Sequence, residues 1–309
     1  MYLNSSWRRC SERFDEVESF IDASAAAIPT SSNPSIRSDL YGSWVLLTYA
    51  SCQFALQEIG RGCMLFLGDR YKNPGHMPEH VLRNHEKISF EIIRRLSDGD
   101  SKDKALVRQS LREMYSKNWA THSSLLKIEK NVWPDNVREW LRRLGVTDSD
   151  MTWMSQPASA SSETYASRLS ELVSERNPIA HGDSPTRLLS GMLMKEWLIE
   201  CRGFMENCCM SVALHLSRDH KPRLRSVGAI DRKVISRFGN STVPIAQTKV
   251  SLRVGDHVLL ADRGERKRIA RIESMKSDGK SFGEVPAGSV AVAVGLSKSH
   301  QGYGVYLTP

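Results

Sequence analysis

Residues 39–71 read DLYGSWVLLTYASCQFALQEIGRGCMLFLGDRY and form the most continuously apolar part of the chain. Apolar side chains recur along this stretch at helical spacing, and the Asn-Pro-Gly sequence at residues 73–75 ends the pattern. We therefore predict one long helix that is largely buried. Its most apolar part, residues 41–56, is interrupted by polar side chains and falls short of a membrane-spanning helix.

Helical spacing continues on both sides of this stretch, and β-branched residues are sparse up to about residue 217. Ser162 or Thr164 is suited to cap a helix that runs to about Arg176. Residues 148–162 are polar and predict a long loop. Residues 1–220 are therefore expected to form an all-helical bundle domain. The other predicted helices cover residues 7–27, 78–96, 102–115, 135–144 and 186–216.

The pattern changes at about residue 225, where short alternating or β-branched runs replace the helical spacing. Turn-forming glycine, asparagine and aspartate residues separate these runs, as is typical of a small β-barrel. The expected fold is therefore multidomain α and β, with a helical bundle followed by a barrel at residues 221–309. The predicted strands cover residues 233–238, 242–245, 250–254, 257–260, 269–272 and 290–294.

The excess of positive charge lies near the end of the chain. Of 43 basic and 35 acidic side chains, residues 225–309 hold 14 and 7, and the first 224 residues hold 29 and 28. Such an asymmetry favours a module that binds a polyanion. The alternative is a solvated basic surface that has no partner.

The sequence contains no recognisable targeting segment or metal-binding pattern. No apolar run follows the basic N-terminal residues, so a cytoplasmic protein is expected. The six cysteines lack the C-x-x-C spacing of zinc sites and are expected to be reduced thiols. His76, His80 and His85 lie close together in sequence but have no accompanying carboxylate pattern, which favours surface residues over metal ligands. We expect no cofactor.

Residues 171–182, ELVSERNPIAHG, contain an arginine and a histidine, two residue types that are suited to RNA cleavage without a metal ion. One group must move the proton of the attacking 2′-hydroxyl or protonate the leaving oxygen, and histidine is suited because an imidazole titrates near neutrality. A second group must stabilise the charge that develops on the phosphate, which suits the planar guanidinium of arginine. His181 and Arg176 are the candidates. The alternative is an arginine–histidine pair with a structural role only.

The spacing of Arg176 and His181 limits how they could meet. Along one unbroken helix, residues five apart differ by about 140° in direction and about 7.5 Å in height. Pro178 is acceptable as the first residue of a helix, and Asn177 is a good cap before it. We therefore expect the incoming helix to end near Arg176 and a new turn to begin at Pro178, which would direct free backbone N–H groups at the phosphate.

The same segment resembles the R-x4-6-H signature of the HEPN ribonucleases, with four residues between Arg176 and His181 and a polar residue, Asn177, after the arginine. The resemblance covers roughly residues 40–200. Within the family, the sequence is most similar to the branch associated with RiboL-PSP systems. In that branch, a long apolar helix that carries a glutamate precedes the signature. Glu58 would be that glutamate. The resemblance implies a metal-independent endoribonuclease with a toxin or anti-phage abortive-infection role. It also implies a homodimer in which the motifs of two protomers face each other.

The resemblance places Arg176, His181, Asn177 and Glu58 at the catalytic site. Glu58 could orient Arg176 or His181 across the bundle, and an ion pair with Arg61 is the alternative for this carboxylate. For the whole chain, the alternatives to a nuclease are a non-catalytic RNA- or ribosome-binding protein and a sensor subunit of a defence system.

Three C-terminal segments, residues 254–260, 269–275 and 284–296, resemble in order the V-G-D-x-V, V-x-x-I-x-x-M and A-G-x-x-V-A-V-x-L strands of domain II of translational GTPases. The usual G-x-G-x-V-x-x-G start of that barrel is missing. The sequence also lacks a G-x-x-x-x-G-K-[ST] loop, so GTPase activity is not implied.

In elongation factor Tu, this kind of barrel helps to hold the acceptor end of tRNA, so the resemblance makes tRNA the expected RNA partner. The alternative is that the barrel recognises a regulatory protein or a phage component that triggers the nuclease. RNA contact is expected from the basic side chains Arg253, Arg263, Arg266, Lys267, Arg268 and Arg271.

Overall fold

The computed structural model describes residues 2–27, 34–71, 76, 79, 83, 131–158, 162–185, 187–220, 226–230, 241–261, 267–300 and 303–308. The helices predicted at 78–96 and 102–115 and the strand predicted at 233–238 lie outside these residues, apart from the helical positions 79 and 83. The chain divides into two compact units. The helical unit is Arg9–Val212, and the β unit combines Met1–Arg8 with Ala213–Pro309. The division into domains of residues 1–220 and 221–309 stays a prediction.

The described part of the N-terminal region is helical, as predicted. No helix among the described residues is both long enough and apolar enough to cross a membrane. The elements are α1 (Tyr2–Ala27), α2 (Pro34–Arg70), α3 (Pro134–Arg143), a 3₁₀ helix (Asp148–Ser155), α4 (Tyr165–Ala180) and α5 (Gly191–Asp219).

The apolar faces of α2 and α4 form much of the core of the helical unit. Leu56 of α2 and Leu172 of α4 are completely buried. The two helices come close together at Gly42, where an added Cβ would lie 3.3 Å from Cγ2 of Ile179. This packing fixes the position of α4, which leads into the R-x4-H segment, residues 176–181.

Of residues 148–162, predicted as a loop, the described residues 148–158 and 162 are more ordered than expected. They contain the 3₁₀ helix, and Pro157 forms an isolated antiparallel bridge with Thr164. Trp153 explains the order, because its indole N–H donates to Oγ of Ser211 at 3.0 Å and its ring packs edge-on against Phe204 at 4.9 Å. An aromatic anchor of this kind lies within a stretch whose composition is otherwise typical of a loop.

The last helix was predicted from residue 186 but begins at Gly191. Ser190 is suited to cap it, since its Oγ accepts a hydrogen bond from the backbone N–H of Leu193 at 3.3 Å. Before this cap, Arg187 lies over the ring of Trp197, 5.3 Å from its centre, and forms ion pairs with two glutamates of α4 at 3.6 and 3.9 Å. Arg187 thus contacts α4 and Trp197 from the segment before the helix begins.

The β unit contains an antiparallel sheet that curls into a half-barrel. The described strands are β1 (Gly228–Ile230), β2 (Thr242–Thr248), β3 (Leu252–Arg253), β4 (His257–Ala261), β5 (Lys267–Ser277), β6 (Lys280–Ser281), β7 (Glu284–Val285), β8 (Val290–Leu296) and β9 (Gly304–Leu307). The main sheet has the order β1-β2-β8-β5-β4-β9, with β6 paired to β5, and β3 and β7 form a separate pair. The two edges of the main sheet approach each other where the N–H of Val227 donates to the carbonyl of Val305 at 3.2 Å.

The predicted strands at 242–245, 257–260, 269–272 and 290–294 are confirmed, while the run at 250–254 shortens to the two residues of β3. The half-barrel encloses a core of aliphatic side chains. Buried members include Val243, Ile245, Val258, Leu260, Ile272, Met275, Val292, Val294 and Leu296.

The first turns of α1 belong to the β unit through specific polar contacts. The side chain of Asn4 pairs with the backbone of His257, donating to its carbonyl and accepting from its N–H, both at 2.9 Å. Arg8 binds the buried carboxylate of Asp256 with two hydrogen bonds, at 2.8 and 2.6 Å. The start of the chain is therefore part of the packing of the half-barrel.

Candidate active site

The R-x4-H segment lies at the C-terminal end of α4. This helix begins as predicted at Thr164, whose Oγ1 accepts a hydrogen bond from the N–H of Ser167 at 3.1 Å. Core packing then fixes the helix up to one turn before the arginine. The buried side chains on this face are Leu169, Leu172 and Val173.

The helix does not end near Arg176. It continues to Ala180 with Pro178 inside it, so the expected new helix start at Pro178, capped by Asn177 and with free N–H groups directed at a phosphate, is wrong. Near the end of a helix, a proline removes only the single bond to the carbonyl four residues earlier. The packing of α4 outweighs the preference of Asn177, as the residue before proline, for an extended backbone.

Two backbone hydrogen bonds of a Schellman motif close the helix. The N–H of Gly182 donates to the carbonyl of Ile179 at 3.1 Å, and the N–H of Asp183 donates to the carbonyl of Pro178 at 3.0 Å. Gly182 adopts a left-handed φ of 87°, as the motif requires of its first residue beyond the cap. His181 therefore lies at the C-terminal end of a helix, and not beside the free N–H groups of a helix start.

His181 is the C-terminal cap residue of α4, with φ −95° and ψ 4°, and its side chain is exposed. Within the described part of the chain, its imidazole has no hydrogen-bond partner. An exposed imidazole at the end of a helix is accessible to a substrate, while the helix cap holds the backbone of His181 in place.

Arg176, near the end of α4, is half-buried and contacts α2. Its guanidinium carbon lies 4.6 Å from the centre of the ring of Tyr49, in a cation–π contact. Its Nη1 donates to Oδ1 of Asn177 at 3.3 Å, and Asn177 also accepts from Nδ2 of Asn131 at 3.3 Å. Asn177 thus contacts the arginine as a neighbour and does not cap a helix.

Among the described contacts, none joins Arg176 to His181. Because α4 continues past Arg176, the separation of about 140° that an unbroken helix imposes on residues five apart is the expected one. One copy of the segment therefore presents its guanidinium and its imidazole in different directions.

Glu58 contacts other arginines. Its Oε2 accepts from Nε of Arg9 at 2.7 Å and from Nη2 of the same side chain, and its Oε1 lies 3.6 Å from Arg61. The ion pair with Arg61, one of the two alternatives considered from the sequence, is therefore present. The contact that would let Glu58 orient Arg176 or His181 is not among those described.

Sequence reasoning missed Tyr49 and Asn131 near Arg176. Tyr49 follows the apolar periodicity of α2, and Asn131 precedes α3 without any motif, so neither carried a recognisable signal. Tyr41, another tyrosine of α2, does not suit acid–base chemistry, because burial and the charge of Glu175 raise its pKa to about 12.

The basic residues of the half-barrel have varied surroundings. Arg263 and Arg266 lie outside the described residues. Nη2 of Arg253 lies 2.8 Å from Glu284, and Nη2 of Arg271 lies 3.8 Å from Glu273, in exposed pairs that cost little to break.

Two further basic residues of β5 have structural partners. Lys267 donates to the carbonyl of Ser217 at 2.7 Å, in the last turn of α5, where a cation complements the helix dipole. Arg268 lies over the ring of Tyr303 at 4.0 Å. Both side chains are half-buried, so they are less available to RNA than Arg253 and Arg271.

No group of three or more histidine, cysteine, aspartate or glutamate side chains is placed to hold a metal ion within the ranges that the structure describes. His76 is exposed, whereas His80 and His85 are outside those ranges. All six cysteines are buried and unpaired. Burial raises the pKa of the Cys10 and Cys63 thiols to about 12, so neither is a candidate nucleophile.

Comparison with protein families supports the helical resemblance. Residues 8–208 match the sequence profile of the family described as RiboL-PSP-HEPN, and this range includes Glu58, Arg176 and His181. Comparisons with curated proteins and with solved structures find no match. The likeness of the half-barrel to domain II of translational GTPases stays a prediction. Because the family match covers more than half of the sequence, the chain belongs to the RiboL-PSP-HEPN family.

Proposed function

We propose that this protein is a metal-independent endoribonuclease that acts through Arg176 and His181. HEPN domains are commonly nucleases, and membership of the family supports the proposal. The observation that carries it is the state of the two side chains. His181 is exposed at the end of α4, and among the described contacts the guanidinium of Arg176 makes a single hydrogen bond. Both groups can therefore receive a phosphodiester.

In the proposed reaction, the 2′-oxygen of a ribose attacks the adjacent phosphorus and the bond to the 5′-oxygen breaks. His181 removes the proton of the 2′-hydroxyl or donates a proton to the leaving 5′-oxygen, and Arg176 stabilises the charge on the phosphate oxygens. Asn177 orients the guanidinium through its carbonyl oxygen. The products are a 2′,3′-cyclic phosphate and a 5′-hydroxyl.

We further propose a homodimer with composite sites, in which Arg176 of one protomer acts with His181 of its partner. The divergence of the two residues along one continuous helix supports this arrangement. Mixing equal amounts of the inactive Arg176→Ala and His181→Ala proteins should then restore about a quarter of the wild-type rate. After the subunits exchange, about half of the dimers contain one protomer of each variant, and each of these mixed dimers has one intact site of two. A mixture as inactive as either variant would contradict composite sites.

The half-barrel is proposed to contact the RNA, and the resemblance to the tRNA-holding barrel of elongation factor Tu makes tRNA the proposed substrate. Arg253 and Arg271 are the best placed of the described candidates, because phosphate can displace their exposed glutamate partners. The logarithm of the RNA-binding constant falls linearly with the logarithm of the salt concentration. Replacing both arginines with glutamine should reduce the slope of this line by about one unit per lost phosphate contact. Arg142→Gln, at another exposed ion pair, is the control. An unchanged slope would count against RNA binding by these side chains.

A toxin or anti-phage abortive-infection role in the cytoplasm is the proposed setting, with a regulatory protein or a phage component as trigger. Expression of the wild-type chain should then arrest growth, and expression of the His181→Ala chain should not. Equal growth arrest by both chains would contradict a toxic nuclease.

The direct test is cleavage of total tRNA by the full-length protein in the presence of EDTA. Arg176→Ala and His181→Ala are each expected to slow cleavage by about a hundredfold or more. Arg142→Ala and His76→Ala, the same changes at exposed residues that have no described contact with Arg176 or His181, should cleave at the wild-type rate. RNA binding by the wild-type protein without any cleavage would instead favour a non-catalytic RNA-binding protein.

A further inference from the structure

Four side chains from three parts of the helical unit form a closed ring of contacts that includes Arg176. The guanidinium carbon lies 4.6 Å from the centre of the Tyr49 ring on α2. The hydroxyl of Tyr49 donates to Oδ1 of Asn131, just before α3, at 3.2 Å. Nδ2 of Asn131 donates to Oδ1 of Asn177, which also accepts from Nη1 of Arg176, both at 3.3 Å.

The hydroxyl of Tyr49 uses all of its hydrogen-bonding positions in this arrangement. Its proton is directed to Asn131, and its oxygen accepts from the backbone N–H of Val132 at 3.4 Å and from Nε2 of Gln53 at 3.3 Å. A tyrosine hydroxyl offers one proton and two lone pairs, so all three are used. The distances are at the long end of the hydrogen-bond range, so each bond contributes little stability. Their joint effect is to fix the orientation of the ring.

The guanidinium of Arg176 is held in position, but not all of its N–H donors have partners among the described residues. Its Nε is shielded from solvent and has no hydrogen-bond partner among the described residues. Nη1 is bonded to Asn177, and one face of the group is covered by Tyr49. An arginine has five N–H donors, so the ring of contacts fixes the direction of the group while donors remain for an anion.

We propose that Tyr49 is the positioning residue for Arg176. Its aromatic ring supports the guanidinium, and its hydroxyl sets the rotation of that group through Asn131 and Asn177. Tyr49 does not touch the phosphodiester in this assignment. The effect on cleavage rests on the proposed nuclease function, whereas the positioning of Arg176 does not depend on it.

Two substitutions separate the contributions of the ring and the hydroxyl. Tyr49→Phe keeps the aromatic face, and Tyr49→Leu removes both. The Nε–Hε group of Arg176, observed by nuclear magnetic resonance in the full-length protein, reports its order without any need for activity. We expect it to be ordered in the wild type, less ordered in Tyr49→Phe and mobile in Tyr49→Leu. Tyr165→Phe, in the first turn of α4 and outside the ring of contacts, should match the wild type. An equally ordered Arg176 in Tyr49→Leu would overturn the proposal.

Cleavage of tRNA is then measured with the same proteins. The strength of a partly buried cation–π contact corresponds to about a tenfold loss for Tyr49→Leu, and Tyr49→Phe should retain more activity than Tyr49→Leu. Adding Tyr49→Leu to Arg176→Ala should cause no further loss, because no guanidinium is left to position. Independent, additive losses would overturn the positioning role. A wild type that does not cleave, combined with an order of Arg176 that depends on Tyr49, would refute the nuclease function and leave the positioning intact.

Discussion

Replacing Gly182 with alanine tests how α4 ends beside His181. Gly182 has a φ of 87°, and an added Cβ would meet no atom within 4 Å, so the cost is one of backbone conformation alone. Placing an L-residue in the left-handed region costs about 1–2 kcal/mol, and alanine recovers part of this by restricting the unfolded chain, which leaves a net loss of about 1 kcal/mol. If a new helix began at Pro178 instead, Gly182 would lie inside it, and alanine would stabilise the protein by about 0.5–1 kcal/mol.

Urea unfolding followed by far-ultraviolet circular dichroism measures the sign of this effect. Gly145→Ala is the matched control, since Gly145 has a φ of 93° and ends α3 with the same pair of backbone bonds, from Gly145 to Arg142 and from Val146 to Leu141. Both variants should lose similar stability, but only Gly182→Ala should slow RNA cleavage, because it disturbs the residue after His181. A Gly182→Ala protein at least as stable as the wild type would refute this helix end.

Two further predictions concern the packing of each unit. Burial raises the pKa of Cys10 and Cys63 to about 12. At pH 8, iodoacetamide should therefore leave both thiols of the folded protein unmodified. Modification of the folded protein at the rate seen in urea would contradict their burial. Asn4→Ala removes both bonds to the backbone of His257 and should lower the free energy of unfolding by about 1–3 kcal/mol. A loss within experimental error in urea unfolding would contradict the contact.

Most of the helices and the longer strands could be predicted because their signals are local. The apolar periodicity of residues 39–71 and the capping chemistry of Thr164 each depend on residues close in sequence. Alternation likewise identified β2, β4, β5 and β8. Strands β1 and β9 escaped prediction, since both include glycine and are ordered by pairing with other strands. The start of α5 escaped for a similar reason, because the contacts of Arg187 with α4 and with Trp197 lie outside any local pattern.

The candidate site was predicted only in part, because its motif is local and its surroundings are not. Residues 171–182 drew attention to Arg176 and His181 by chemistry and spacing. Glu58, however, is paired with an arginine 49 residues away, and Asn131 is 46 residues from Asn177. Pro178 was misread because its local preference for a helix start was outweighed by the tertiary packing of α4. Tyr49 resembled any other aromatic residue on a buried helix face.

We propose that Arg176 and His181 act together on one phosphodiester, whose phosphorus is attacked by the adjacent 2′-hydroxyl. Mapping the ends of tRNA fragments produced by the full-length protein in EDTA tests it most directly. We expect 2′,3′-cyclic phosphate and 5′-hydroxyl ends from the wild type, and neither from Arg176→Ala or His181→Ala. Fragments that carry 3′-hydroxyl and 5′-phosphate ends, or the same fragments produced at the wild-type rate by His181→Ala, would contradict the claim.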